Sequence, residues 1–367
     1  MKKQFSKIRL ENTPEDFLKR GINPQTIEVW EDGRRDNDRA GAYEWWYFDF
    51  MMDNGIKVVI HFHTKPVRKC NQKGYVPSPG MAVYLPDGTK YEDEPLYTKK
   101  DIFLADDYCD VKMGPHTVCG DLKTYTIHYE PVNGIGADLT LNSLSSPWRP
   151  GNAYFDFGND EYFTWLCVVP KGKVTGTIEY GGKKYNVSGY GYHDHQWCTC
   201  DHITSFNNWF WGRQSFEEYT FLNFYIVTSK YYGFQKITMT VLEDKYGNII
   251  FENTNPENAK WEVLEEYTQK ETGRKYPKYS QFEIKGQQGT LKYDVDVFHE
   301  IGCIDAGQIV PKAMLWMLEK KGFHPTYARE AAHGTLELIS SNGDIINETS
   351  DMIYEFIYPG LSYLEYI

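Results

Sequence analysis

The sequence predicts a mostly β protein in which each half of the chain forms its own antiparallel β-barrel. Short runs of β-branched and aromatic residues recur at regular spacing, and Gly, Pro and Asn turn signals separate them. Tyr, Phe and Trp make up 16% of the 367 residues, and these residue types favour strands. A chain of this length fits two domains.

The first half of the chain opens with polar residues and then shows strand signals from Tyr43 onward. Residues 14–20 are typical of a short helix that ends at Gly21. The predicted strands lie at 57–63, 81–85, 124–129, 162–169, 174–180 and 184–187. Gly181-Gly182, between the last two runs, is a strong hairpin signal.

The second half repeats this style. Its predicted strands lie at 220–228, 236–242, 249–252, 261–267, 279–284, 290–298 and 334–339. One helix is predicted at 310–321, because Pro311 stands near its start and Gly322 follows its end. We therefore expect a polar N-terminal extension at 1–40, a first barrel at 41–203 and a second barrel at 204–367, with a joint near 200–208.

The net charge and the cysteine content indicate which partners and which cellular compartment the sequence favours. The formal net charge is −12, which disfavours nucleic acid as a partner because such binding needs a basic surface. No window is apolar for long enough to predict a membrane span, and the N-terminus lacks the apolar core of a secretory signal. The seven cysteines show no disulfide framework. These observations predict a cytoplasmic protein with reduced thiols.

The first dense motif is YEWWYFD at 43–49. Strand alternation puts Glu44, Trp46 and Phe48 on one face, and Trp45 and Tyr47 on the other. A glutamate beside two tryptophans can lose its solvation, which raises a carboxyl pKa and suits a general acid. The alternative is a structural role, in which the tryptophans close a barrel end and Glu44 pairs with an arginine.

The second dense motif is GYGYHDHQW at 189–197. In an extended segment His193 and His195 share a face and Asp194 points away. Histidine is well suited to proton transfer near neutral pH. The alternative is a buried polar network that ties strands together.

A metal site is a third possibility that these residues leave open. His61 and His63 form a second pair at strand spacing, and four converging imidazoles with His193 and His195 would suit zinc, iron or copper. The favoured interpretation of the first pair is that both histidines lie on one side of a strand near a pocket.

A third aromatic segment, NWFWGRQ at 208–214, places Trp209, Trp211 and Arg213 on one strand face. Arginine stacks on aromatic rings and binds carboxylates. No GxSxG nucleophile elbow and no GxxxxGK[ST] or GxGxxG phosphate loop occurs in the sequence. Nucleophilic catalysis and nucleotide binding therefore have little support.

YEWWYFDF followed by GYGYHDHQW resembles the carotenoid 1,2-hydratase family, also called hydroxyneurosporene synthase or AttH-like. Relatives include kievitone hydratase and the fungal Diels–Alderases. The resemblance implies two lipocalin-like antiparallel β-barrels in tandem with a few short helices, and a ligand site in or between the barrels. It implicates His195 and Trp197 in the chemistry, together with a Tyr and an Asp on the following strand. Tyr225 supplies the phenol there, but the nearest polar residue is Asn223, which cannot protonate an alkene; Asp194 or Glu44 would have to replace that acid.

The sequence thus predicts an enzyme that acts on a hydrophobic polyene, terpenoid or polyphenol by acid-assisted hydration or dehydration, isomerisation or cyclisation, without a cofactor or a metal. The expected catalytic residues are Glu44, Asp194, His195 and Tyr225. The expected substrate-binding residues are Trp45, Tyr47, His63, Tyr192, His193, Trp197, Trp211, Arg213 and Asn223. Two alternatives are a non-catalytic carrier or sensor of a hydrophobic ligand, and the metal-dependent enzyme that the two histidine pairs suggest.

Overall fold

Two curled antiparallel β-sheets dominate the computed structural model, which describes residues 6–305 and 310–367. The chain divides into two compact units. The first unit is Ile8–Asp201, and the second is His202–Ile367 with the described residues before Ile8. The predicted fold class, mostly β with a few short helices, is confirmed.

The first unit contains one 11-stranded sheet and one 3-stranded sheet. Its strands are β1 (Arg9–Leu10), β2 (Tyr43–Met52), β3 (Lys57–His63), β4 (Ser78–Tyr84), β5 (Lys90–Asp93), β6 (Ile102–Leu104), β7 (Cys109–Met113), β8 (His116–Gly120), β9 (Thr124–Tyr129), β10 (Gly136–Ser143), β11 (Tyr154–Gly158), β12 (Glu161–Thr164), β13 (Leu166–Tyr180) and β14 (Lys183–Cys198). The large sheet has the order β5-β4-β3-β2-β14-β13-β10-β9-β8-β7-β6, and the small one has the order β1-β11-β12. This order places the two motif strands, β2 and β14, side by side at the centre.

The second unit contains one 9-stranded sheet. Its strands are β15 (Phe206–Ser215), β16 (Tyr219–Thr228), β17 (Lys236–Asp244), β18 (Ile249–Asn253), β19 (Ala259–Thr268), β20 (Lys275–Gly286), β21 (Gly289–Asp305), β22 (Thr326–Ser340) and β23 (Ile345–Tyr358). They follow the order β18-β17-β16-β15-β23-β22-β21-β20-β19.

Three short α-helices accompany the sheets in the described residues: α1 (Pro14–Arg20), α2 (His202–Ser205) and α3 (Lys312–Lys320). Helix α1 begins at a Thr13 cap and ends at Gly21, which takes the left-handed conformation with φ of 67°. Helix α3 starts after Pro311, as the sequence predicts. No described helix is long and apolar enough to cross a membrane.

The strand predictions are incomplete and are wrong at one place. The run at 162–169 forms two strands, because the chain leaves the small sheet after Thr164 and joins the large sheet at Leu166. Eight observed strands, β1, β5, β6, β7, β8, β10, β11 and β23, have no counterpart among the predicted runs. The longest hairpin in the first unit, β13 with β14, turns at Gly181 and Gly182, both with positive φ.

Each large sheet wraps around an apolar core, and we call the face toward that core the inner face. In the first unit the core includes Trp46 and Phe48 of β2. In the second unit it includes Phe221 and Tyr225 of β16. A 3₁₀ turn at Val29–Asp32 adds a buried carboxylate to the first unit from the segment before β2.

Candidate functional site

The inner face of the first sheet brings the two aromatic motifs together. Strands β2 and β14 pair with Trp46 opposite His195 and Phe48 opposite His193. Glu44 follows the same alternation and points inward. These five side chains are wholly buried. The alternation predicted for both motif strands is therefore seen in the structure.

His195 lies between two carboxylates. Its Nε2 is 2.7 Å from Glu44 Oε1, and its Nδ1 is 3.3 Å from Asp32 Oδ1. Its ring stacks on Trp46 with centroids 4.5 Å apart. Burial by itself lowers the pKa of an imidazole, but the two carboxylates outweigh burial and raise the pKa of His195. Burial opposes ionisation of Asp32 too, yet His193 and His195 hold its pKa below the ordinary value.

Glu44 also holds the segment that precedes β2. Its Oε1 accepts the backbone N–H of Arg35 at 2.6 Å, and its Oε2 accepts the backbone N–H of Asp36 at 2.8 Å. The Thr64 hydroxyl accepts the Glu44 backbone N–H at 3.0 Å. Burial and the neighbouring Glu44 charge raise the pKa of Asp36 to about 6. In this structure Glu44 thus fastens a loop through backbone amides and an imidazole.

Asp194 points to the outer face, away from both histidines. Its Oδ2 accepts from the Tyr192 hydroxyl at 2.8 Å and from Trp165 Nε1 at 3.1 Å, and its Oδ1 accepts from Gln196 Nε2 at 3.2 Å. Burial raises the pKa of Asp194 to about 6, although the three donors favour the charged form. Asp194 can therefore exchange a proton near neutral pH.

The rest of the outer face of β2 and β3 carries half-buried aromatic rings. Trp45 lies opposite His63 and Tyr47 lies opposite His61. The His61 and His63 rings stack with centroids 4.3 Å apart, and Trp45 meets His63 edge-on at 5.8 Å. The other imidazole pair, on β14, lies on the inner face. The hypothesis that all four imidazoles converge on one metal ion is therefore wrong, because the sheet separates the two pairs.

Trp197 is also an inner-face residue. Its Nε1 donates to the Tyr154 hydroxyl at 2.8 Å, and its ring lies 4.9 Å from that of His195. Trp45 lies on the outer face of the same sheet. The structure therefore does not bring these two tryptophans to one side of a ligand.

The second unit distributes its four predicted site residues over both faces of its sheet. Tyr225 and Asn223 lie on the inner face; the Asn223 side-chain oxygen accepts from the Thr240 hydroxyl at 3.0 Å. Burial raises the pKa of Tyr225. Trp211 and Arg213 lie on the outer face, because both alternate with residues of the core.

Glu243, near the end of β17, is a residue that our sequence analysis missed. It lies opposite Thr220 on the outer face and has no exposed surface. Neither carboxyl oxygen has a hydrogen-bond partner among the residues that the structure describes. Burial, with a smaller contribution from the Asp244 charge, raises the pKa of Glu243 to about 8. A buried carboxyl without a partner is a strong mark of a functional group.

A sequence signal for Glu243 exists in the alternation of β17. Ile237, Met239 and Val241 form an apolar row on one face, and Glu243 continues that row. An ionisable side chain at the next position of a buried row must lose its charge, pair with another group or serve a function, because burying an unpaired charge is costly. The predicted strand ended at Leu242, one residue before Glu243, so the sequence analysis did not continue the row to this position.

Comparison with known proteins supports the fold and the family. A family model described as AttH-like matches residues 106–300. Among solved structures, a putative AttH from Nitrosomonas europaea is 15% identical with a TM-score of 0.64, and the alignment covers 91% of this chain and 97% of that one. A search of curated proteins finds no significant match to this sequence.

Two further structural neighbours are similar over most of both chains. Kievitone hydratase from Nectria haematococca is 14% identical with a TM-score of 0.58, and covers 91% of this chain and 94% of its own. CghA, solved with Sch210972, is 13% identical with a TM-score of 0.60, and covers 92% of this chain and 97% of its own. At this level of identity the likeness establishes a shared fold.

Proposed function

The chain belongs to the AttH-like family, and from this premise we propose that it is an enzyme that protonates an alkene of a hydrophobic small molecule, with Glu243 as the proton donor. The outcome is hydration, isomerisation or ring closure. The structural neighbours include a hydratase, and hydration of an alkene starts with its protonation, which supports this class of reaction.

The state of Glu243 is the observation that carries the proposal. A general acid must hold its proton at the working pH and must release it to the substrate. With a pKa of about 8, Glu243 is protonated at neutral pH. Since neither of its oxygens bonds to another described residue, its proton remains available to a ligand. A carboxyl kept neutral by an apolar site is a known way to run acid chemistry at pH 7.

The outer face around this strand suits an apolar substrate. Trp211 lies opposite Phe224 on the neighbouring strand, and both are buried. Phe224 pairs with Met239, four residues from Glu243 along β17, so these rings can pack against an apolar part of the substrate that extends away from the carboxyl. Arg213 lies opposite Leu222 on the same face and can orient an oxygen substituent.

The reaction balances without a cofactor. The O–H bond of Glu243 breaks while a C–H bond forms at one alkene carbon, and the neighbouring carbon becomes cationic. Water attacks this cation, and the proton that the water loses restores the Glu243 carboxyl. If the cation instead loses a proton from a neighbouring carbon, the double bond moves. If a second alkene of the substrate attacks the cation, a ring closes.

Asp194 is a second proton-exchanging group in the first unit. Its pKa of about 6 leaves it mostly ionised at neutral pH, where it suits a base or a positioning residue. The half-buried Trp45, Tyr47 and His63 share its face and supply apolar contact surface. We propose a substrate-binding role for this face.

Incubation in D₂O tests the proposal with two defined probes, kievitone and lycopene. Protonation by an exchangeable carboxyl puts deuterium on carbon, so mass spectrometry detects hydration, isomerisation and proton-initiated cyclisation alike. We expect Glu243→Gln to lower turnover at least about 10²-fold and to leave binding intact, as measured by tryptophan fluorescence. Glu283→Gln, an exposed glutamate on β20, is the matched control and should keep full turnover.

The alternative is a protein that binds a hydrophobic ligand without catalysis, and the same experiment distinguishes it from an enzyme. Probe binding by the wild type with no deuterium uptake and no product would favour the carrier. Equal turnover by the wild type and Glu243→Gln would leave an enzyme but remove Glu243 from its mechanism.

A further inference from the structure

Three potential metal ligands meet in the interior of the first unit, on the side of the sheet that the proposed reaction does not use. Asp32 comes from the 3₁₀ turn, Cys109 from β7 and His193 from β14. One ligand atom of each lies within 4.8 Å of the others, and all three residues are buried. The three segments are far apart in sequence, so only the fold creates this group.

The hydrogen bonding of His193 leaves its second nitrogen available as a ligand. Its Nδ1 lies 3.0 Å from the backbone carbonyl of Tyr47, which can only accept, so Nδ1 carries the hydrogen. His193 Nε2 lies 3.3 Å from Asp32 Oδ2, within hydrogen-bond distance. These two atoms can share either a proton or a metal ion. A backbone carbonyl that fixes the tautomer is a common feature of metal-bound histidines.

A second observation concerns the other oxygen of the same carboxylate. Asp32 Oδ1 is buried and makes no hydrogen bond to any residue in the described part of the chain. His195 Nδ1, 3.3 Å away, is likewise buried and makes no hydrogen bond there. Buried polar atoms without partners are rare and call for an explanation.

We propose that Asp32, Cys109 and His193 bind one Zn²⁺ ion. Thiolate, imidazole and carboxylate are the usual zinc ligands in proteins. Two ligand atoms about 2.0 Å from a tetrahedral ion lie about 3.3 Å from each other, which is the observed separation of His193 Nε2 and Asp32 Oδ2. The Tyr125 hydroxyl donates to Asp32 Oδ2 at 2.6 Å and so orients the carboxylate toward the ion.

The charges of the site balance when the ion is bound. Binding converts the Cys109 thiol to a thiolate and releases its proton to solvent. One carboxylate and one thiolate then neutralise Zn²⁺, and His193 binds it through Nε2. His195 and Glu44 form a separate ion pair beside it. No net charge is left in the core, where an uncompensated charge is costly.

We assign the ion a structural role, because its ligands lie within the apolar core of the first unit, where the His193 ring packs against Phe48 and Tyr125. The ion would fasten the turn at Val29–Asp32 to β7 and β14 and so close the interior of the first unit. Structural zinc sites of this kind contribute directly to folding stability.

Metal analysis of the whole chain tests the proposal. The wild-type protein, unfolded with a chelator and refolded with Zn²⁺, should retain about one ion per chain after dialysis, as measured by mass spectrometry of the elements. Refolding with Co²⁺ should give the thiolate-to-cobalt absorption band. A wild-type protein that takes up neither ion overturns the proposal.

Two cysteine variants locate the ion. Cys109→Ser should lose the Zn²⁺ and the cobalt band, whereas Cys119→Ser, an exposed cysteine on the neighbouring strand, should keep both. Equal metal content in the two variants overturns the assignment and favours the half-exposed group of His61, His63 and Glu94. If Cys109→Ser does not fold, urea unfolding of the wild-type protein replaces this test. Its unfolding midpoint should be higher with Zn²⁺ than with chelator. Equal midpoints contradict the proposal.

Discussion

Glu44 Oε1 and His195 Nε2 lie 2.7 Å apart on the inner face of the first sheet, although the residues are 151 positions apart in the sequence. The pair joins the two motifs that carry the family resemblance. Because Glu44 also accepts two backbone amides, the same carboxylate holds β14 and the segment before β2. The motifs therefore form a structural joint as well as a candidate site.

Replacing Glu44 should destabilise the protein strongly. Glu44→Ala removes the hydrogen-bond partner of His195 Nε2 and of two backbone amides in the core, and we expect a loss of about 3–5 kcal/mol in the free energy of unfolding. Urea unfolding, followed by circular dichroism, measures this loss. Glu92→Ala removes an exposed glutamate that pairs with Lys90 and should cost less than about 1 kcal/mol. Similar losses in the two variants would mean that the Glu44 pair contributes no more than a surface contact.

Glu243 should make the protein less stable as the pH rises. Its pKa is raised from 4.5 in the unfolded chain to about 8 in the folded one, so between these values only the folded chain holds the proton. The free energy of unfolding should therefore fall by about 1.4 kcal/mol per pH unit over this window. Glu243→Gln removes this component, so the variant should gain stability over the wild type as the pH approaches 8.

Melting temperatures of the wild type and of Glu243→Gln, measured between pH 5 and pH 8 in buffers of matched ionic strength, give this difference. Glu330, also buried with a pKa of about 8, contributes to both proteins and cancels in the comparison. Parallel pH profiles for the two proteins would show that Glu243 is ionised or solvated in the folded state.

Asp194→Asn should disturb the outer face of the first sheet. The carboxylate accepts from Trp165, Tyr192 and Gln196, whereas an amide has only one acceptor oxygen and turns an N–H group toward a donor. We expect a loss of about 1–3 kcal/mol and a changed emission of Trp165. Asp296→Asn, an exposed carboxylate on β21, is the control. Unchanged stability and emission in Asp194→Asn would contradict the three-donor arrangement.

Gly80→Ala should displace the outer-face histidine pair. Gly80 lies opposite His61, and a β-carbon at Gly80 would overlap the His61 ring. The ring must then move, which changes its stacking on His63, at an expected cost of about 1–3 kcal/mol. Histidine ring signals in NMR spectra report this movement. Gly302→Ala is the control, because a β-carbon there meets no atom within 4 Å. If Gly80→Ala leaves the His61 signals unchanged, the packing argument is wrong.

The sequence by itself determined the fold class and the local geometry of the motifs. Alternation decides which side chains share a strand face, so Glu44 with Trp46, and His193 with His195, were predicted before any pairing was known. Hairpin and helix ends followed from Gly181-Gly182 and from Pro311, because these residues restrict the backbone locally.

Only the tertiary structure decided which faces meet. Strand pairing between β2 and β14, not proximity in sequence, joined Glu44 to His195, and it placed the His61 pair and the His193 pair on opposite sides of one sheet. The meeting of Asp32, Cys109 and His193 likewise depends on three distant segments. Glu243 escaped prediction because its burial and its lack of partners are set by long-range packing, which local residue patterns do not encode.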